Sequence, residues 1–204
     1  MLPVAPAAER NKDAILTALR PIVARCRRVL EVGSGTGQHA VHVTTALPHL
    51  LWQCSDLPAS VPGIAARLAE EGSDRTPPPL TLDVAMPPWP VPAATSPEAF
   101  DAIFTANTLH IMSFAHVKEF FQRVGELLAP GGVCCVYGPM KYGGAFTTPS
   151  NAAFDAQLRA GNPESGIRDF EALDALAGAQ GLTLEDDIAM PANNQLLIWR
   201  RAAG

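Results

Sequence analysis

The sequence predicts an α/β protein with three layers: a seven-stranded, mostly parallel sheet between helices, closed by a C-terminal antiparallel strand pair. Three observations predict it. Short apolar runs alternate with segments of helical periodicity from residue 28 to residue 137, and such alternation builds parallel sheets through right-handed crossovers. The runs are continuously apolar, as strands covered on both faces are. A glycine-rich stretch, Gly33-Ser34-Gly35-Thr36-Gly37, directly follows the first run and opens the first crossover helix.

Each element has its own warrant. Residues 7–19 carry Ala7, Ala8, Ala14, Ile15, Ala18 and Leu19 near helical spacing and predict a leading helix. Pro21 interrupts it or starts a second short one. A compact run at 28–32 predicts strand one. Helix 38–47 stops at Pro48, strand 50–55 runs into Asp56, and helix 60–71 closes at Gly72. A short third strand covers 80–84. The proline-rich segment 86–97 cannot be a regular helix and predicts an extended loop. Strand 100–106, helix 114–128 and strand 133–137 follow, with Pro130-Gly131-Gly132 ending the helix. Helices 150–160 and 169–179 precede the closing strands 182–189 and 195–200. No repeat or linker interrupts the chain, so residues 1–204 are expected to form one domain, with a helical lid at about 6–25.

Composition narrows the function classes. Net charge is −5 with 15 Lys+Arg, which leaves no electrostatic footprint for a phosphate backbone, so no nucleic-acid partner is expected. Arg25, Arg27 and Arg28 are the only notable basic cluster and read as a solvated helix end. Cys26, Cys54, Cys134 and Cys135 form no C-x-x-C pair and have no zinc spacing with histidine. Three of them sit in apolar runs, which points to a reducing, cytoplasmic setting. The absence of an 18-residue apolar run, and of an apolar N-terminal stretch behind a basic start, predicts neither membrane span nor signal peptide. No metal is expected: His39 and His42 are three apart on one helix but lack a further ligand.

The glycine turn selects a ligand. Glycines there let the chain turn sharply and let a ligand approach the backbone, at the edge where parallel sheets bind. The dinucleotide fingerprint is G-x-G-x-x-G; Gly33 and Gly35 fit it, but Gln38 stands where the third glycine belongs. Glu31 precedes the turn, awkward beside a pyrophosphate and suited to a cation. The implied ligand is a cationic nucleoside, and S-adenosylmethionine has a ribose, a sulfonium and an α-ammonium. Asp56 at the end of strand two is placed to accept from both ribose hydroxyls; the alternative is a turn or capping aspartate.

The run Glu31-Val32-Gly33-Ser34-Gly35-Thr36-Gly37 resembles the first motif of class I S-adenosylmethionine-dependent methyltransferases, which have a Rossmann-like fold. Leu82-Asp83-Val84, the run from Phe100 to His110, and Leu127-Leu128-Ala129-Pro130-Gly131-Gly132 resemble later motifs of the same superfamily. Pro6-Ala7-Ala8-Glu9-Arg10-Asn11-Lys12, Tyr137-Gly138-Pro139, Ser150-Asn151-Ala152-Ala153-Phe154-Asp155 and Met190-Pro191-Ala192-Asn193-Asn194 look like the methyltransferase-like protein 26 family, whose substrate is unassigned. The resemblance implies that Glu31, Gly33, Ser34, Gly35 and Gly37 cradle the cofactor, with Asp56 and Leu57 at the ribose. Asp83 would meet the adenine amino group, the Val84 N–H the ring, and Asn107 the methionine part. Arg10 and Asn11 open the leading helix, where Arg10 is placed to pair with a carboxylate.

Methyl transfer is an in-line displacement, so the protein mainly holds and aligns the acceptor. A base helps where the acceptor is protonated. His110, after strand four, is the first choice, Asp155 the second, and Tyr137 walls the pocket or donates a hydrogen bond. Ser150, Asn151, Asn193, Asn194, Lys141 and Tyr142 are further candidates for the acceptor side. Each has a structural alternative: a packed histidine, a core-edge tyrosine, Ser150 as helix cap, Arg168 and Asp169 as a helix-start pair. The expected activity is methyl transfer to an unidentified small molecule, with oligomeric state left open. The alternatives are a non-catalytic cofactor-binding or protein-interaction protein that retains the fold, and a nicotinamide-dependent oxidoreductase, which Gln38 disfavours.

Overall fold

A computed structural model describes residues 2–203. In chain order the elements are α1 (Pro6–Ile22), β1 (Arg28–Val32), α2 (Gln38–Ala46), β2 (Leu51–Asp56), α3 (Val61–Glu71), β3 (Leu80–Thr81), β4 (Phe100–Ala106) and α4 (Phe114–Leu127). There follow β5 (Leu128–Gly138), β6 (Met140–Tyr142), β7 (Ala145–Phe146), α5 (Pro149–Gly161), β8 (Arg168–Asp169), α6 (Phe170–Ala179), β9 (Leu182–Met190) and β10 (Asn194–Arg201). Seven strands form the main sheet in the order β3-β2-β1-β4-β5-β10-β9. Pairs from β3 to β5 are parallel; β5–β10 and β10–β9 are antiparallel. The predicted class and closing pair are both present.

Side-chain alternation sorts each strand between two cores. Val29, Phe104, Cys135 and Ile198 face α1, α2 and α3, where Ile15, Leu19, Ala40, Val43 and Ile64 are buried. Leu30, Ile103, Cys134, Val136 and Trp199 face α4 and α6, against Phe120, Phe121, Val124 and Leu173. α4 shows why these segments are helical. Ser113 caps it by accepting from the His116 N–H at 3.2 Å. Val117, Phe120, Phe121 and Val124 recur at helical spacing and are fully buried. Phe121 meets Trp199 edge to face at 5.5 Å.

Several boundaries differ from expectation for physical reasons. α1 runs through Pro21 to Ile22, because a proline in the last turn removes little of the helical ladder. β3 is two residues long, since Asp83 accepts from the Ala85 N–H at 2.9 Å and turns the chain. β5 begins at Leu128, so α4 already ends before the Pro130-Gly131-Gly132 turn. That turn instead shifts the β4–β5 register. Gly131 has φ +76°, and a Cβ on Gly132 would stand 2.8 Å from the Asp101 carbonyl. The predicted loop before β4 is irregular, anchored by buried Trp89 against Phe120. A small sheet, β7-β6-β8, goes beyond the sequence reading; strands of two or three residues carry no periodicity to read. Among the described residues no helix is long and apolar enough to cross a membrane.

Candidate functional site

The carboxyl ends of β1, β2 and β4 meet at the glycine turn. Gly33 and Ser34 both donate to the Ser55 carbonyl at 3.0 Å, tying the turn to β2. Gly35 donates to Asp56 Oδ2 at 2.7 Å, and the other oxygen of Asp56 accepts from the Leu57 N–H at 2.7 Å. Two backbone donors therefore aim this half-buried carboxylate and leave its remaining lone pairs for a ligand. Gly33 has φ +77°, and a Cβ there would lie 2.6 Å from Thr108 Oγ1. Gly35 has φ +59° with nothing within 4 Å of its Cβ position, so the backbone is bare on that side.

A cavity of about 690 Å³ opens beside this turn. Of the predicted residues it is lined by Gly33, Gly35, Asp56, Leu57, Asp83, Val84 and Asn107. Leu57 presents an exposed apolar side chain. Asn107 adopts φ +57° and donates its N–H to the Tyr137 carbonyl at 2.9 Å, an uncommon conformation for a residue with a side chain. Ser60, Leu82, Thr108, Ile111, Met112, Ser113, His116, Asn162 and Glu164 also line the cavity. Their place after strand four could have flagged Thr108 to Ser113. Nothing in the sequence marks Asn162 or Glu164, which reach the cavity from about 50 residues further along.

The other eight residues assigned to cofactor binding or catalysis lie outside this lining, and their surroundings say why. Glu31 is 1% exposed and its carboxylate is turned under α2, accepting from Trp52 Nε1 at 2.9 Å with His39 Nδ1 at 3.3 Å. Strand alternation sends Glu31 to the α2 face with Val29, which corrects the expectation that it faces the ligand's cation. Ser34 is likewise turned inward, accepting from the Ser55 N–H at 3.1 Å. Gly37 starts α2 at φ +74°, and a Cβ there would lie 3.3 Å from Ile64, so it serves α2–α3 packing. Asn11 is buried with Oδ1 2.9 Å from His39 Nε2. Arg10 is exposed on α1.

Tyr137 is 3% exposed on the α1 face, and burial pushes its phenol pKa up. Asp155 is spent structurally: Oδ1 accepts from the Ile167 N–H at 2.7 Å and Oδ2 from Arg159 Nε at 2.7 Å. Both of its carboxylate oxygens are thus engaged by the fold. His110 is 6% exposed and packs edge to face on Phe154 at 5.4 Å. Its Nδ1 stands 3.5 Å from where a Cβ on Gly138 would be. Burial, with the Arg168 charge adding to it, pushes the imidazole down to about 4, so it is neutral at physiological pH.

The remaining candidates are structural in their contacts. Thr148 rather than Ser150 caps α5, accepting from the Asn151 N–H at 3.2 Å. Asn151 Nδ2 donates to the Asn193 carbonyl at 3.1 Å, and Tyr142 donates to Asp187 at 2.7 Å. Lys141 lies over the Phe146 ring in the small sheet. Gln38, at the missing third glycine, is 7% exposed. Its Oε1 accepts from the Ala5 N–H at 2.7 Å and its Nε2 donates to Glu9 at 2.8 Å, so the first turn of α2 is covered by α1. His42 stands 2.9 Å from Asp13, and no group of metal-ligating side chains occurs among the described residues.

This is a class of α/β domain with a crevice at the carboxyl ends of parallel strands. Residues 2–201 match the family described as "Protein of unknown function (DUF938)". The chain belongs to that family. Its fold is similar to that of the S-adenosylmethionine-dependent methyltransferase SibL, with TM-score 0.78 and 21% identity over 96% of this chain and 55% of that one. An O-methyltransferase family protein from Burkholderia thailandensis aligns with TM-score 0.75 and 19% identity over 97% of this chain and 60% of that one. Human N-acetylserotonin methyltransferase, solved with S-adenosylmethionine, aligns with TM-score 0.79 and 16% identity over 97% of this chain and 53% of that one. The chain thus spans little more than half the length of these proteins.

Proposed function

We propose that this protein binds S-adenosylmethionine in the cavity beside Gly33 and Gly35 and transfers its methyl group to a small-molecule acceptor. One observation carries the reading. Asp56 and Asp83 share a single cavity with a bare glycine turn, while the α2 N-terminus that a pyrophosphate would need is covered by Gln38 and α1. The residues fit the group. Asp56, aimed by two N–H donors, takes the ribose hydroxyls; Asp83 and Val84 take the adenine edge; Leu57 and Met112 offer apolar contact for its faces. Asn107 borders the methionine part. Arg10, exposed in the second turn of α1, is the candidate to close over that end, while Asn11 beside it is bonded to His39 in the interior.

When bound, the cofactor supplies an electrophilic methyl group on a sulfonium. The chain's own work is to align the acceptor and take up its proton. His110, neutral at pH 7, is the proposed proton acceptor, although it is buried outside the cavity lining and its low pKa makes it weaker than a base poised near 7. Neutral aliphatic alcohols are therefore poorer acceptors than phenols, thiols or carboxylates. The segments that look like the methyltransferase-like protein 26 family support the same cofactor. Four free, buried cysteines support a reducing, cytoplasmic setting.

Calorimetric titration with S-adenosylmethionine, S-adenosylhomocysteine and NAD tests the cofactor. Binding of the first two and not of NAD is expected; the reverse overturns the reading. Turnover against phenols, thiols, amines and carboxylates then tests transfer. Tight cofactor binding without transfer to any class would favour the non-catalytic alternative.

A further inference from the structure

The loop between β4 and α4 is held by one short segment of distant chain. Arg168 Nε donates to the Leu109 carbonyl at 2.9 Å. The Gly166 N–H donates to the His110 carbonyl at 2.8 Å. Ser165 Oγ donates to the Ile111 carbonyl at 2.8 Å. The terminal Arg168 Nη2 donates to the Met112 carbonyl and, at 3.0 Å, to that of Glu164. Four successive loop carbonyls, which would otherwise need water, are thus partnered by residues 165–168. An arginine fork suits such a clasp, because it presents several N–H groups in fixed directions where a lysine has a single point of donation. Arg168 is only 7% exposed, and no carboxylate is hydrogen-bonded to it among the described residues, so its donors go to these carbonyls.

The segment is itself anchored. Asp155 on α5 accepts from the Ile167 N–H. Gly166 has φ +145°, with Arg159 and Asp155 crowding its Cβ position, so no larger residue fits without displacing them. Both partners also line the cavity: Ile111 and Met112 from the loop, Asn162 and Glu164 from the approach to the segment.

We propose that Arg168 is a positioning residue for the nucleoside end of the cavity, fixing the spacing between walls supplied by residues 107–113 and 162–164. This rests on reading the cavity as the S-adenosylmethionine site. The guanidinium touches no ligand; it acts through the carbonyls it holds. Removing it releases the loop, and the cost appears in affinity for the adenosine part.

The test titrates S-adenosylhomocysteine into wild type, Arg168→Lys, Ser165→Ala and a control, Val23→Ala. Val23 is buried beside the amino ends of the strands, away from the cavity, so its truncation lowers the melting temperature without touching the walls. We expect Kd to rise about 10-fold in Arg168→Lys and about 3-fold in Ser165→Ala, as lost hydrogen bonds of this kind give. Val23→Ala should keep the wild-type Kd at a lower melting temperature. Hydrogen exchange at amides 109–113 should quicken in both clamp variants. Should Arg168→Lys fail to fold, Ser165→Ala carries the comparison. Clamp variants that bind as wild type does, or a control that weakens binding equally, overturn the role alone. Wild type that takes up no S-adenosylhomocysteine overturns the cofactor reading and this role with it.

Discussion

Gly33 and Thr108 stand so close that a β-carbon on the glycine would lie 2.6 Å from the threonine hydroxyl oxygen. The ends of β1 and β4 can approach this tightly only because residue 33 has no side chain. Gly33→Ala is expected to suffer twice, from the clash and from holding φ +77°, which costs an L-residue roughly 1–2 kcal/mol. Thr108→Ala in the same chain should recover the clash and not the φ term. Thermal unfolding of the two variants checks this order.

Asp56 is fixed by the Gly35 and Leu57 N–H groups before any ligand arrives. Asp56→Ala should weaken S-adenosylhomocysteine binding at least about 10-fold, since hydrogen bonds to a charged group contribute about 1.5–3 kcal/mol. Asp56→Asn keeps one oxygen acceptor and should lose less. Calorimetry on both variants decides whether this carboxylate meets the ribose or only closes a turn.

His110 makes stability depend on pH. Its folded-state pKa is about 4, below the unfolded value of about 6.5. Between these the unfolded chain binds the extra proton, so stability falls as pH drops from about 6.5 toward about 4 and levels off below. The full effect is at most ~3 kcal/mol. Urea midpoints for wild type should fall over this window, and His110→Asn should remove most of the slope while slowing any methyl transfer.

Asp155 separates a structural carboxylate from a base. Asp155→Asn retains an oxygen for the Ile167 N–H and should stay close to wild type in stability and in pH profile. Asp155→Ala leaves that buried donor unpaired and should cost about 1–3 kcal/mol. A shifted activity profile in Asp155→Asn at unchanged stability would return this residue to the base role.

The four thiols are buried, and burial raises the pKa of each, that of Cys26 to about 11. A thiol-specific disulfide reagent at pH 8 should label none in the native protein and all four in denaturant. Fast native labelling of any of them would contradict this packing.

The sheet is legible in the sequence because its determinants are local. The apolar runs at 28–32 and 100–106 form β1 and β4 at those same residues. The glycine turn and the strand-end Asp56 and Asp83 reach one cavity because a parallel sheet aligns the carboxyl ends of its strands. Glu31 departs from expectation on one point: its spacing to the glycines is visible in sequence, but the face of the sheet it occupies depends on which helices cover each side. Tyr137 turns away from the cavity for the same reason.

The sequence by itself determined the layer order, the closing strand pair and the cavity residues at strand ends, since periodicity and turn chemistry act over a few neighbours. Only the tertiary structure decided that His110 is neutral, that Asp155 anchors a segment, and that Arg168 clasps the loop from more than fifty residues away. Those roles depend on burial and on partners brought in by chain crossings. Neither leaves a trace in the spacing of residues along the chain.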